Sequence, residues 1–188
     1  MIDQDNKLHG RAHLAAALAR YARRHPSEAA CADRFRRFVE EEPRCYERDC
    51  WRGHVTGAVW LVDGSGERAL LTHHRKLNMW LQLGGHSDGD PDTTAVALRE
   101  AREESGLVVE LLDTDIFDID IHAIPARDAD PGHEHFDVRL LARAVGSEAF
   151  VVSEESHDLA WVPHADIRRY TQESTILRMT SKWLALRT

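Results

Sequence analysis

The amino-acid sequence predicts an α+β or α/β sandwich, and three observations predict it. From residue 53 onward, short runs rich in β-formers and bounded by turn residues alternate with stretches of helical spacing. Before them, residues 1–42 carry helical periodicity only. The 188 residues are 43% hydrophobic and 30% charged, enough to bury a core without disulfides and unlike a disordered or membrane-embedded chain.

Taken in order, Leu14, Leu18 and Tyr21 recur at helical spacing, and Pro26-Ser27-Glu28 reads as a break with Ser27 as the next N-cap. Cys31, Phe35, Phe38 and Val39 form the apolar stripe of a second helix, which ends before Pro43. His54 to Val62 reads as a strand, Asp63-Gly64-Ser65-Gly66 as a hairpin turn, Ala69 to Thr72 as a second strand and Trp80 to Leu83 as a third. Residues 93–105 read as a helix closed by Gly106. Strands follow over Leu107 to Leu112, Ile116 to Ile121, Glu134 to Ala142 and Leu159 to Val162, with a loop over Ala126 to Gly132. Two helices end the chain, the last with Ile176, Met179, Trp183 and Leu186 on one side. Trp60 and Trp183 read as core.

Charge narrows the function. The net charge is −8; residues 1–50 carry 10 basic and 9 acidic side chains, a net of +1, so the remaining 138 carry −9. That balance disfavours a nucleic-acid partner and suits carboxylates that hold divalent cations. The opening residues Met1 to Lys7 show no signal-peptide pattern, and the longest apolar run, Ala58 to Val62, is far too short to span a membrane. Cys31, Cys45 and Cys50 have no CxxC spacing. The expectation is a cytoplasmic protein with reduced cysteines.

One segment carries the chemistry. In Arg99-Glu100-Ala101-Arg102-Glu103-Glu104-Ser105-Gly106-Leu107, the side chains of Glu100, Glu103 and Glu104 fall within an arc of about 100° on one helix face. Glu100 and Glu104 repel one another as an i,i+4 pair, and a hard cation relieves that repulsion; oxygen ligands suit Mg²⁺ or Mn²⁺. Arg99 stands where it can orient these carboxylates. Gly85 permits a tight loop beside them.

With its spacing, Gly85 followed by Arg99, Glu100, Ala101, Glu103, Glu104, Gly106 and Leu107 resembles the Nudix box. One position departs: the family's first Glu falls on Pro91, flanked by Asp90 and Asp92. The strand order from about Gly53 to Tyr170 also resembles the Nudix fold. The resemblance implies a Nudix-type α/β/α sandwich with a mixed sheet, residues 51–188, preceded by a helical extension, residues 1–50. It implies Mg²⁺-dependent (or Mn²⁺-dependent) hydrolysis of a nucleoside diphosphate linked to another moiety, by water attack at phosphorus. Glu100, Glu103 and Glu104 would be metal ligands, completed by the carbonyl of Gly84 or Gly85. Arg99 would orient Glu100, and the base would be Glu100 or a Glu outside the box, Glu154 or Glu155. The partner would be a small nucleotide, without nucleic acid or membrane, on a monomer or homodimer.

Other residues make weaker claims. His133, His135, Asp137 and Arg139 would share one face of a strand, as the polar side of a half-exposed sheet, as substrate contacts or as transition-metal ligands. His73, His74, Arg75 and Lys76 form a basic cluster, either a solvated strand end or a phosphate-attracting group with Arg75 as a substrate contact, and His86 after the glycine pair would face the pyrophosphate or hold the loop. Trp80 or Trp51 would stack a base or, as is commoner for an aromatic near a strand, serve packing. Two alternatives stand beside the hydrolase. One is a non-catalytic Nudix domain that senses a nucleotide, supported by Pro91. The other is an isopentenyl-diphosphate-isomerase-like enzyme, disfavoured because all three cysteines precede residue 51.

Overall fold

A computed structural model describes residues 8–127 and 130–187. Residues 1–7 and 188, and residues 128 and 129 of the loop expected over 126–132, lie outside the described residues. The helices are α1 (Arg11–Arg24), α2 (Ala29–Glu41), α3 (Thr93–Ser105), α4 (Ile167–Tyr170) and α5 (Ser174–Leu186). The strands are β1 (His54–Val62), β2 (Arg68–His74), β3 (Met79–Leu81), β4 (Leu83–His86), β5 (Val109–Leu111), β6 (Asp118–Ile124), β7 (His133–Ala144) and β8 (Ser156–Pro163). They form one sheet in the order β3-β2-β1-β7-β5, with β4 on β1, β6 on β7 and β8 on β2.

The spans read for β1 and α3 coincide with the structure, and four expectations change. Pro26-Ser27-Glu28 forms a 3₁₀ turn without a side-chain cap, so Ser27 does not start α2; Glu28 occupies the N-cap position. Its carboxylate instead accepts the Tyr21 hydroxyl at 2.6 Å. The single strand expected over Trp80 to Leu83 is two, β3 and β4, and Gly84-Gly85 lies on β4 rather than in a loop. Leu186 is 66% exposed, while Ile176, Met179 and Trp183 are buried.

The chain folds as two compact units, each assembled from several segments. The first comprises Met1–Gly57, Gly85–Ala97 and Asp113–Leu140. Its core gathers the apolar stripes of α1 and α2, with Leu14, Leu18, Tyr21, Phe35, Phe38 and Val39 all buried. Phe38 stacks on Phe136 of β7 with centroids 3.8 Å apart. α1 and β1 are also placed by polar contacts: Arg20 Nε donates to Asp115 at 3.4 Å, Arg24 pairs with the same carboxylate, and Val55 N–H donates to the Cys45 carbonyl at 2.7 Å. Gly57 of β1 lets α3 approach closely, since a Cβ there would stand 2.9 Å from both Ala97 N and Val96 Cγ1.

The second unit comprises Ala58–Gly84, Leu98–Leu112 and Leu141–Thr188. β8 pairs antiparallel along the whole of β2, and Leu70, Leu71, Leu159 and Val162 are buried there. The hairpin turn is built by Asp63, whose buried carboxylate accepts from Ser65 Oγ at 2.9 Å, Glu67 N at 2.9 Å and Arg68 Nε at 2.6 Å. α5 is anchored on that turn, where Trp183 Nε1 and Arg187 Nη1 donate to the Gly66 carbonyl at 2.9 and 2.8 Å.

Candidate functional site

Two groups of titratable side chains stand out, one in each unit. In the second unit, α3 carries Arg99, Glu100, Glu103 and Glu104. The end of the helix is fixed by Gly106, whose φ of 70° places it in the left-handed region that terminates helices, with its N–H on the Arg102 carbonyl at 2.7 Å. Glu104 is 6% exposed, and its Oε1 accepts the Gly84 N–H at 2.7 Å. Glu100 is half-buried and accepts from Arg99 Nη2 at 3.0 Å. Glu103 is exposed.

Burial pushes the Glu104 carboxyl up to about 8, with Glu100 and Glu155 adding to the rise against the Gly84 hydrogen bond. Burial raises Glu100 as well; Arg99 opposes, while Glu103 and Glu155 add to the rise. Glu100 and Glu104 are therefore undercompensated by protein cations. They fit a divalent cation, which offers the charge that the protein itself does not supply.

Glu155 is the sequence candidate whose position the structure makes specific. It is exposed at the start of β8, and its carboxylate lies within electrostatic reach of Glu100 and Glu104. Its carbonyl accepts the Arg75 N–H at 3.0 Å, while Arg75 Nη2 donates to the Ser156 carbonyl at 3.0 Å. Arg75 thus stands beside Glu155. The rest of the basic cluster is engaged locally: His73 stacks on Trp80 at 5.0 Å, and His74 Nδ1 accepts from the N–H groups of Lys76 and Leu77 at 3.2 and 3.3 Å. Trp80 also meets the edge of Tyr170 at 5.1 Å, so packing accounts for it.

In the first unit, the turn before α3 explains the residues at the departing position. The Pro91 carbonyl accepts the Gly10 N–H at 2.8 Å. Asp92 Oδ1 accepts Ala95 N–H at 2.9 Å as a helix cap, and Asp90 Oδ1 accepts Asp92 N–H at 2.9 Å. Both aspartates are committed to the turn.

The same unit gathers histidines. His86, His133 and His135, singled out from the sequence, surround His54, which sequence reasoning placed in a strand without any role. Ring centroids lie 5.1, 4.9 and 4.7 Å from that of His54, in that order. His54 is 1% exposed, and neither ring nitrogen makes a well-formed hydrogen bond among the described residues. Burial, then the neighbouring His86 and His133, lower its pKa to about 4, against the pull of the Cys50 backbone. Burial likewise takes His135 down to about 3, although Asp137 opposes. Trp51 lies near this group, 5.6 Å from the His133 ring.

Alongside runs a network that corrects the reading of β7 as half-exposed. Asp118, Asp137 and Arg139 are buried. Arg139 donates to Asp118 at 3.0 Å, Asp137 at 2.9 Å and Asp120 at 3.4 Å, and Thr56 Oγ1 donates to Asp137 at 2.6 Å. His122 Nδ1 lies 3.6 Å from Asp120 and 3.7 Å from Asp137, which hold its pKa above the ordinary value.

Comparison with known proteins agrees with this strand order and this helix. Several of the similar solved structures are Nudix-family hydrolases. One, a NUDIX-family hydrolase from Clostridium perfringens, is 28% identical, covers 71% of this chain and 97% of its own, and superposes with a TM-score of 0.52. The MutT protein of Methanosarcina mazei Go1 is 16% identical with a TM-score of 0.56, covering 72% of this chain and 96% of its own. An Ap4A hydrolase of C. elegans is 16% identical with a TM-score of 0.53, covering 71% and 98%. No curated protein matches the sequence. The family described as the NUDIX domain matches residues 52–184, and the chain belongs to it. It is a hydrolase of phosphoric anhydride bonds, from a family of pyrophosphohydrolases that generally use divalent metals. No helix among the described residues is long and apolar enough to cross a membrane.

Proposed function

We propose that α3 holds Mg²⁺ (or Mn²⁺) and that the protein hydrolyses a small nucleotide, a nucleoside diphosphate linked to a further moiety, in the cytoplasm. One observation carries the reading: Glu104, buried and crowded by Glu100 and Glu155, is a carboxylate site short of positive charge. Glu100, Glu103 and Glu104 are the metal ligands in this reading, with a carbonyl of Gly84 or its chain neighbour Gly85 as a further oxygen. The ion supplies neutralisation of the pyrophosphate charge and acidifies water at the site.

The protein's own groups do the rest. Gly84 N–H holds one oxygen of Glu104, fixing which way the carboxylate faces. Arg99 favours the ionised form of Glu100 and orients it. Glu155, on an exposed backbone segment pinned by Arg75, accepts the proton of the attacking water, and the Arg75 guanidinium offers charge to a phosphate. Neutral imidazoles at His54 and His135 bring no positive charge to the group, so substrate contacts there would be made by hydrogen bonds rather than by charge. Residues 1–50 stand in this reading as a helical extension to a Nudix domain of residues 51–188.

The test is turnover with Mg²⁺ across nucleoside triphosphates, nucleotide sugars, dinucleoside polyphosphates, NADH and CoA. Glu103→Gln should lower kcat on the order of 10²–10³-fold. Glu155→Gln should lower kcat and leave Mg²⁺ affinity unchanged. Turnover that survives Glu103→Gln would remove α3 from the chemistry. Binding without turnover would favour a nucleotide sensor.

A further inference from the structure

We propose that His54, His133 and His135 form a second metal site, which takes a divalent transition-metal ion of the zinc type through three imidazole nitrogens. The ligand chemistry differs from that of the α3 carboxylates, and the inference stands without them. One ring nitrogen from each of the three histidines lies within 4.8 Å of the other two. A tetrahedral zinc ion with imidazole ligands needs nitrogens about 3.3 Å apart, so side-chain rotations of about 1 Å close the set.

Unpaired nitrogens are the strongest mark of the site. His54 is 1% exposed with neither ring nitrogen in a well-formed hydrogen bond among the described residues, and Nε2 of His135 is buried and likewise without one. A buried polar atom left without a partner is costly, because its lost hydration is not replaced. A metal ion is a partner that accepts lone pairs from several such atoms at one point. His133 shows how one ligand is prepared. Its Nδ1 meets the Pro131 carbonyl at 2.9 Å; that oxygen only accepts, so Nδ1 carries the proton and the Nε2 lone pair is left for a metal. Metal-binding histidines are characteristically oriented by a carbonyl in this way. His86, whose ring centroid is 5.1 Å from His54 and 5.0 Å from His135, stands close enough to serve as a fourth ligand.

The neighbouring group His122, His135 and Asp137 has comparable spacing but a different charge state. Asp137 is already occupied by Arg139 at 2.9 Å and Thr56 at 2.6 Å. His122 faces two carboxylates, Asp120 and Asp137, and Arg139 adds a fixed positive charge beside them. The Asp137 oxygens there are already engaged, whereas the ring nitrogens of His54 and Nε2 of His135 have no hydrogen bond among the described residues. Three imidazoles also distinguish between metals: nitrogen ligands select Zn²⁺, Co²⁺, Ni²⁺ or Cu²⁺ over Mg²⁺, which prefers oxygen. Three protein ligands leave a coordination position for water or an anionic group of a bound molecule.

The test uses tag-free, chelator-treated full-length protein titrated with Co²⁺ in the presence of excess Mg²⁺. The expected result is one Co²⁺ per chain with the intense visible bands of a four- or five-coordinate ion, displaced by one equivalent of Zn²⁺. His54→Ala should abolish the bands. His133→Ala, at a partly exposed position that the fold tolerates better, should weaken binding at least ~10-fold. Glu103→Gln should leave the bands unchanged. The proposal is overturned if the protein binds no Co²⁺ under these conditions, if His133→Ala binds as the parent does, or if Glu103→Gln removes the bands.

Discussion

Arg139 is 2% exposed, and its guanidinium serves Asp118, Asp120 and Asp137 at once. Each acid is tolerable in the interior because the arginine is there, so removing the arginine strands the charges. Arg139→Met should destabilise the protein by about 3–5 kcal/mol, read as a lower urea midpoint at pH 7. At pH 4 the deficit should shrink, since protonation then relieves the stranded aspartates. At this scale the sequence was only partly legible. The alternation His133, His135, Asp137, Arg139 is plain, but alternation reports two faces, not which is covered. β7 pairs with β6 and Phe136 with Phe38, yet the polar face is buried too, which the residue types alone do not reveal. His54 was still harder to see. Its ring partners come from β4 and β7, distant in the chain, and no local spacing marks it.

At the scale of elements, α3 was legible because several signals agree. Gly106 closes the helix in the sequence as in the structure, and the carboxylate face of the box spaces at helical period; Asp92 as the cap is seen only in the structure. Its closeness to β1 depends on Gly57, which no pattern around it announces. Gly57→Ala would place a Cβ 2.9 Å from the backbone nitrogen of Ala97 and 3.0 Å from the Thr93 carbonyl, both in a helix that cannot yield locally. The expected outcome is a loss of roughly 1–3 kcal/mol by chemical denaturation, with secondary structure retained by circular dichroism. β3 and β4 were the least legible elements. Each has four residues or fewer, and a break at Gln82 divides what reads as one strand.

For the whole molecule, the acidic excess and the raised Glu104 carboxyl act together on stability. Glu104 has a folded pKa of about 8 against 4.5 for the unbonded group, so the folded chain holds this proton more tightly than the unfolded chain. The resulting stability is full below pH 4.5 and is lost as pH rises through 8, on the order of a few kcal/mol for the metal-free protein. Thermal unfolding in chelator should therefore show Tm falling between those limits through this group, and Glu104→Gln should flatten that fall. Mg²⁺ binds the ionised form, so its stabilisation should be larger at pH 8 than at pH 5. Equal shifts at both pH values would place the ion elsewhere.

The segment before β8 hangs from the end of α3. Val151 N–H donates to the Ser105 carbonyl at 2.8 Å, and Gly106 leaves room for the Val151 side chain, whose Cγ2 would stand 3.4 Å from an added Cβ. Four residues later comes Glu155. The short span between these points works as a tether of set length, so the distance from Glu155 to the helix is governed by residue count as well as by side-chain identity. Deleting Val152 or Ser153 would retune that reach while leaving every carboxylate in place, and a change of length in this stretch would alter turnover without touching the helix.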